Sequence, residues 1–398
     1  VVTMDGRSYA LAAGGVLIGQ GSRPRRGRGP GSDLVGVGSC VTRQDLEWRE
    51  TEIHGGASRG GAVSRSDAHL ALSTKDSPYQ PRKTRRVERG GPPKHPVVVG
   101  GGLIGIEAVE VFCAAKLHPK FLIREEWFWP MAIDGQESAW ITERMRGHGV
   151  DVRLEENLES IDGEGAVASL KTDVATHDCD LLVVAIGVMP NTDWLDGSDL
   201  ARDRGGLLVD AQLRARTVDG AVIEDVFAAG DCASVEWFNG AVRPEQLWYT
   251  SRDQGRVAAR GLCGDTARYA RGHWYNSAKL MDIEYTTAGL VNMNVEDERN
   301  WFFEETGKVR STTRIVLTGT GDDERVVGFN LLGRRWDHEV LLSFIEQHRS
   351  LTWVLDHLGD ASFDTEFVPP LRVPRDARSN IGGPAPSAMR EPVQPPGV

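Results

Sequence analysis

Short apolar runs separated by polar or glycine-rich turns recur along the middle of the chain. Val97-Val98-Val99, Phe121-Leu122-Ile123, Leu181 to Ile186 and Val226-Phe227-Ala228 are continuous rather than alternating, as in strands buried on both faces. Between the first two, Ile104 to Ala115 spaces its apolar residues as a helix does. This alternation over residues 94 to 265 predicts a parallel, helix-covered sheet. Upstream, Gly15 to Ile18 reads as a strand running into a Gly/Pro turn, Gly19 to Pro24. Residues 36 to 93 are rich in Arg, Gly and Ser without a period of 2 or 3.6, and are expected to be irregular. Further on, longer strand candidates, Arg314 to Leu317 and Arg325 to Asn330, precede helical stretches at His338 to Gln347 and Leu351 to Leu358, which makes an α+β module. From Pro374 the chain turns rich in Pro, Gly and Arg and is expected to be a disordered tail.

Length and charge narrow the classes. A chain of 398 residues accommodates two or three domains, and a net charge of -11 argues against binding nucleic acid, which needs unopposed Lys and Arg. The basic clusters Arg23 to Arg28 and Lys83 to Arg89 lie in Gly/Pro-rich sequence and read as solvated loops. The 5 cysteines include no close pair, so neither a disulfide framework nor a zinc site is signalled, and a reducing, cytoplasmic compartment is expected. His338-Glu339 lacks the second histidine of a zinc motif and reads as a surface helix pair, so no metal is expected. No run approaches the ~18 apolar residues of a membrane span. The apolar stretch Tyr9 to Gly19 follows Asp5 and Arg7, whose charges cancel, so it lacks the basic start of a secretory signal.

Two stretches carry candidate chemistry. Gly100, Gly102 and Gly105 form G-x-G-x-x-G directly after a strand and at the start of a helix. In that setting Gly100 makes the tight turn, Gly102 lets backbone approach a pyrophosphate, and Gly105 lets helix and strand pack closely. Leu103 and Ile104 then lie at the helix N-terminus, where free N–H groups favour anions. A glycine turn without a ligand is the alternative. About twenty residues on, the second strand ends in Arg124-Glu125, where an acid would accept the ribose hydroxyls of NAD and an arginine would favour the 2′-phosphate of NADP. Downstream, Ile223 to Ala228 is a strand ending in Gly230-Asp231, a carboxylate suited to a sugar or ribityl hydroxyl, or else one that merely caps a turn.

Taken in order, GGGLIGIEAVE, CDLLVVAIGVMPNT and IEDVFAAGDCA resemble the pyridine nucleotide-disulfide oxidoreductase superfamily, in particular its ferredoxin-reductase-like and NADH-oxidase-like flavoproteins. The likeness covers roughly residues 94 to 290, and GQGSRPR resembles the segment that closes the first part of the family's FAD domain. The resemblance implies an α/β fold with a doubly wound parallel sheet: a Rossmann-type NAD(P)-binding domain, a partial FAD-binding domain and a C-terminal α+β domain. The implied boundaries are 1–35 for a remnant of the first FAD segment, 36–93 for an irregular insertion, and 94–187 for the NAD(P) domain. The second FAD segment follows over 188–268, then the interface domain over 269–373 and the tail over 374–398.

By the same resemblance, FAD and NAD(P)H are the cofactors, an electron acceptor is the partner, and a homodimer would form through the C-terminal domain. Gly100, Gly102 and Gly105 would hold the NAD(P)H pyrophosphate, Glu107 would lie near the nicotinamide amide, and Gly187 would mark the crossing back to the FAD domain. Gly230 and Asp231 would meet the ribityl chain. The segment from Arg243 to Trp248 would open a helix reaching Leu262, with Pro244 in its first turn; Gln246 and Leu247 would aim its N-terminus at the flavin. Trp248 would contact the ring or pack as a buried aromatic. Cys232 is expected to pack beneath the strand end.

Members of this superfamily begin with a βαβ unit bearing another G-x-G-x-x-G, which grips the ADP half of FAD; this sequence contains only one such motif. The expectation is therefore a flavoprotein oxidoreductase that by itself retains little flavin. The alternatives are a truncated dinucleotide-binding protein without redox activity, and assembly with a separate polypeptide that supplies the unit.

Overall fold

A computed structural model describes residues 15–25, 29–41, 45, 53, 92–237, 240–292, 297–306, 309–363, 365–379 and 381–382. Most of the stretch expected to be irregular, 36–93, lies outside the described residues: within 42–91 only residues 45 and 53 are described. The chain divides into two compact units. One comprises residues 1–27, 38–92 and 186–272; the other comprises 28–37, 93–185 and 273–398.

The second unit contains the predicted parallel sheet. Leu181–Val184, Pro96–Val99, Lys120–Leu122 and Asp151–Arg153 lie side by side in that order, all parallel. The first two strands are buried throughout, which is why their sequences are unbroken apolar runs. Helix Leu103–Ala114 follows the central strand and buries Ile106, Val109 and Phe112. The next helix, Gly135–Gly147, opens with a capping box. Asp134 Oδ1 accepts from the Glu137 N–H at 2.9 Å, and Glu137 Oε2 accepts from the Asp134 N–H at 3.0 Å.

The same unit carries a six-stranded antiparallel sheet, ordered Tyr275–Leu280, Ile283–Gly289, Arg325–Leu332, Ser311–Thr318, Arg299–Glu305 and Ile381–Gly382. Period-2 alternation sends Ile315, Leu317, Phe329 and Leu331 into a core with the helices His338–Glu346 and Leu351–His357. Arg314 and Asn330 alternate onto the opposite face, yet both are buried. There Arg314 Nη2 donates to Glu137 Oε2 at 3.0 Å, Asn330 Nδ2 donates to the same oxygen at 2.9 Å, and Arg314 Nη1 donates to Asn292 Oδ1 at 2.7 Å. The C-terminal sheet thus packs on the start of helix Gly135–Gly147 through a buried ion pair.

The tail expectation is corrected for its first part. Residues Asp376–Ser379 form a 3₁₀ turn, and Ile381–Gly382 pairs with Arg299–Glu305 as the sheet's last strand. The Trp301 Nε1–H, buried in the core, donates to Ala377 O at 2.9 Å and gives this polar, Pro-rich stretch an anchor that its composition does not reveal.

In the first unit, Val16–Ile18 runs parallel to Val222–Ala228, with Arg214–Arg216 on the other side. Ser22–Pro24, expected within a turn, is instead a strand paired antiparallel with Val188–Pro190; Pro24 falls at its end, where a missing N–H is tolerated. A four-stranded sheet runs Arg202–Asp203, Gly206–Leu208, Ala233–Glu236 and Val242–Pro244. Pro244 therefore ends a strand rather than opening a helix. The helix is Trp248–Leu262, with Leu247 as N-cap, because the ladder with Ala233–Glu236 holds the chain extended through Pro244.

Candidate functional site

Gly100 leaves the central parallel strand with φ +116°, a left-handed conformation natural to glycine, and its N–H donates to Leu122 O at 3.0 Å. At Gly105 an added Cβ would stand 2.0 Å from Gly100 O and 3.0 Å from the Phe121 ring, so only glycine allows the helix this close to the strand. At Gly102 an added Cβ would meet nothing within 4 Å. The space over Gly102 is open, the helix has no capping side chain, and its first turn holds no acidic residue. Leu103 and Ile104 offer backbone N–H groups there, so the residues present fit a pyrophosphate.

Arg124 and Glu125 follow strand Lys120–Leu122 at the same carboxyl edge as the glycine turn, since Val99 is in register with Leu122. Their side chains pair at 2.7 Å, with Arg124 67% exposed and Glu125 24%. The arginine is thus the more available to a ligand. Glu107 lies exposed on the helix that follows the turn.

Gly230 and Asp231 lie in the other unit, at the end of strand Val222–Ala228. Gly230 has φ +80°, and its N–H donates to Gln254 Oε1 at 2.8 Å. Ser22 Oγ donates to Asp231 Oδ2 at 2.5 Å, and Ser251 Oγ donates to Oδ1 at 3.2 Å. A carboxylate has about four acceptor positions, so two bonds leave capacity for polyol hydroxyls. This donor set fits a ribityl chain. Ser22, Ser251 and Gln254 were not singled out from sequence; the one signal available was that Ser22 sits in GQGSRPR.

Gly187, φ +106°, accepts from the Arg25 N–H at 2.9 Å in the first unit. Gln246 is exposed and Leu247 half-buried ahead of helix Trp248–Leu262. Trp248 is 69% exposed, which removes the buried-aromatic alternative; its ring takes Tyr249 edge-on and lies 5.1 Å from the Arg252 guanidinium. Cys232 is buried beneath the strand end as expected, its thiol directed at Ile18 O. Among the described residues no group of three His, Cys, Asp or Glu side chains could hold a metal ion, and no helix is long and apolar enough to cross a membrane.

The family model for pyridine nucleotide-disulphide oxidoreductases matches residues 2–255. The chain belongs to that family. Among curated relatives, the NAD(P)H coenzyme A polysulfide/persulfide reductase of Pyrococcus horikoshii is 25% identical over 253 residues, covering 60% of this chain and 54% of the relative. A ferredoxin–NAD(P)(+) reductase of a Sphingomonas species is 34% identical over 203 residues, covering 49% of this chain and 46% of the relative. The chain spans about half the length of these relatives. In fold it is similar to a FAD-dependent pyridine nucleotide-disulphide oxidoreductase from Desulfovibrio vulgaris, with TM-score 0.66 and 21% identity over 89% of this chain and 80% of that one. The parallel Rossmann-like sheet lies within the residues the family model matches, and the antiparallel sheet of the C-terminal module lies beyond them.

Proposed function

We propose that this family member is a flavoprotein oxidoreductase that oxidises NAD(P)H and passes the electrons through FAD to an acceptor. The observation that carries the reading is the open space over Gly102, at an uncapped helix N-terminus on the same carboxyl edge of the sheet as Arg124. Gly100 to Gly105 bind the pyrophosphate through backbone N–H groups, and Glu107 accepts from the nicotinamide carboxamide. Asp231, oriented by Ser22 and Ser251, accepts from the ribityl hydroxyls. The N–H groups at the start of helix Trp248–Leu262, behind Gln246 and Leu247, would favour negative charge on a flavin held there. Bound FAD supplies the hydride acceptor and the electron outlet.

A dithiol mechanism built on Cys232 and Cys113 is disfavoured. Burial pushes the Cys232 and Cys113 thiols up, and a thiol held protonated is a poor nucleophile. The acceptor in this reading lies outside the chain.

Anaerobic NADPH should bleach the flavin band of the protein once it is loaded with FAD. Dinucleotide binding without bleaching would favour the rival reading, a dinucleotide-binding protein that transfers nothing.

Arg124 sets coenzyme choice in this reading and leans it towards NADPH. Arg124→Glu is expected to move the NADPH-to-NADH ratio of dissociation constants roughly tenfold towards NADH, about 1.4 kcal/mol; the low end of charge-assisted bonding applies because the side chain is largely exposed. Calorimetry giving the wild-type ratio would show that Arg124 does not meet the ribose.

A further inference from the structure

The segment from Arg124 to Asp134 joins the ribose-reading pair to the capping box of the next helix. Its centre is Trp129, with φ +54°. A bulky side chain in the left-handed region persists only where its surroundings fix it. Here the Trp129 N–H donates to Gly101 O at 3.1 Å, inside the glycine turn. Its ring packs on Tyr285 of the C-terminal sheet, with centroids 5.3 Å apart. Two further tethers follow: Asn292 Nδ2 donates to Pro130 O at 3.3 Å, and Arg314 Nη2 donates to Ala132 O at 3.4 Å. Asn292 Oδ1 meanwhile accepts from Arg314 Nη1 at 2.7 Å, so one amide spans the distance from the buried arginine to the loop.

The loop is a folded body. The Ala132 and Ile133 N–H groups close back onto Trp129 O, the Trp127 indole N–H reaches Ile133 O at 3.3 Å, and Phe128 is fully buried. Loosening one tether would therefore shift the whole loop, including the Trp129–Gly101 bond at its centre and Arg124–Glu125 at its start.

We propose that Tyr285 and Asn292 of the C-terminal module are positioning residues for the adenosine half of the dinucleotide, acting through the Trp129 loop. The inference rests on the dinucleotide reading of Gly100 to Gly105. The module that packs on the NAD(P) domain through Arg314 and Glu137 also sets where the ribose-reading pair stands relative to the pyrophosphate turn. The nicotinamide end, served by Glu107 on the helix, makes no use of these tethers.

The test is calorimetry on the full chain with NADPH, with ADP and 2′,5′-ADP as the adenosine half alone, and with reduced nicotinamide mononucleotide as the other half. Asn292→Ala and Tyr285→Leu should each weaken NADPH and the adenosine probes roughly tenfold, the scale of a small misplacement, while the mononucleotide keeps its affinity. Tyr285→Phe, which retains the ring on Trp129, should rescue binding. Two independent variants guard against one that fails to fold, and thermal unfolding reports that failure directly. Adenosine-probe affinities at the wild-type value in both variants, or an equal loss for the mononucleotide, would overturn the inference. A wild-type chain that binds none of the probes would overturn the dinucleotide reading beneath it, a result distinct from either of these.

Discussion

Gly102→Val should abolish NAD(P)H binding, with a loss of at least ~100-fold, or about 2.8 kcal/mol, while the protein stays folded. Gly102 has φ −115° and ψ −173°, an extended conformation open to a β-branched residue, and beyond its own chain neighbours nothing lies within 4 Å of an added Cβ. The new side chain would therefore occupy only the space assigned to the pyrophosphate. Gly105→Ala makes the comparison, because its Cβ would strike Gly100 O at 2.0 Å and disturb the packing of helix on strand. The first variant should lose affinity at an unchanged thermal midpoint; the second should lose both. An unaltered dissociation constant for Gly102→Val would place the pyrophosphate elsewhere.

Arg314→Met should strongly destabilise the C-terminal module. The Arg314 and Glu137 side chains are 1% and 0% exposed, and removing one partner of a buried pair leaves the other charge uncompensated, at about 3–5 kcal/mol. Burial pushes the Glu137 carboxyl up, and Arg314 is the chief group holding it down. Without the arginine the folded-state value rises further above the unfolded one. Folding then favours the protonated acid, so the variant's deficit is full above the raised folded value and shrinks as pH falls through it. Adding Glu137→Gln to Arg314→Met removes the charge and should recover much of the loss at neutral pH. Urea midpoints across pH measure all three, and a single variant with the wild-type midpoint would show that the pair carries no net stability.

The parallel sheet and its glycine turn were legible because their physics is local. A strand buried on both faces must be continuously apolar, as at Val97 to Val99, and a turn that admits a phosphate must be glycine at fixed offsets. Two of the C-terminal strands, at Arg314 to Leu317 and Arg325 to Asn330, were visible from their apolar, β-branched runs and the helices that follow, while Tyr275–Leu280, Ile283–Gly289 and Arg299–Glu305 were not singled out. Pro244 was misread because Pro suits a helix start and a strand end alike, and the choice was made by pairing of Val242–Pro244 with Ala233–Glu236. Trp248 was misread in part because an aromatic near a helix start carries no mark of which way it faces; it is largely exposed.

By itself the sequence determined the family, the parallel core and the place of the glycine turn, since each follows from residues close together in the chain. Only the tertiary structure decided what surrounds them. Ser22 reaches Asp231 from 209 residues away, Arg314 meets Glu137 across 177, and Asn292 meets Pro130 across 162. Such partners share no period or spacing with one another. A lone Arg on the solvent face of a strand and an Arg buried against a carboxylate look the same in sequence, because burial is set by which surfaces meet and not by the neighbours along the chain.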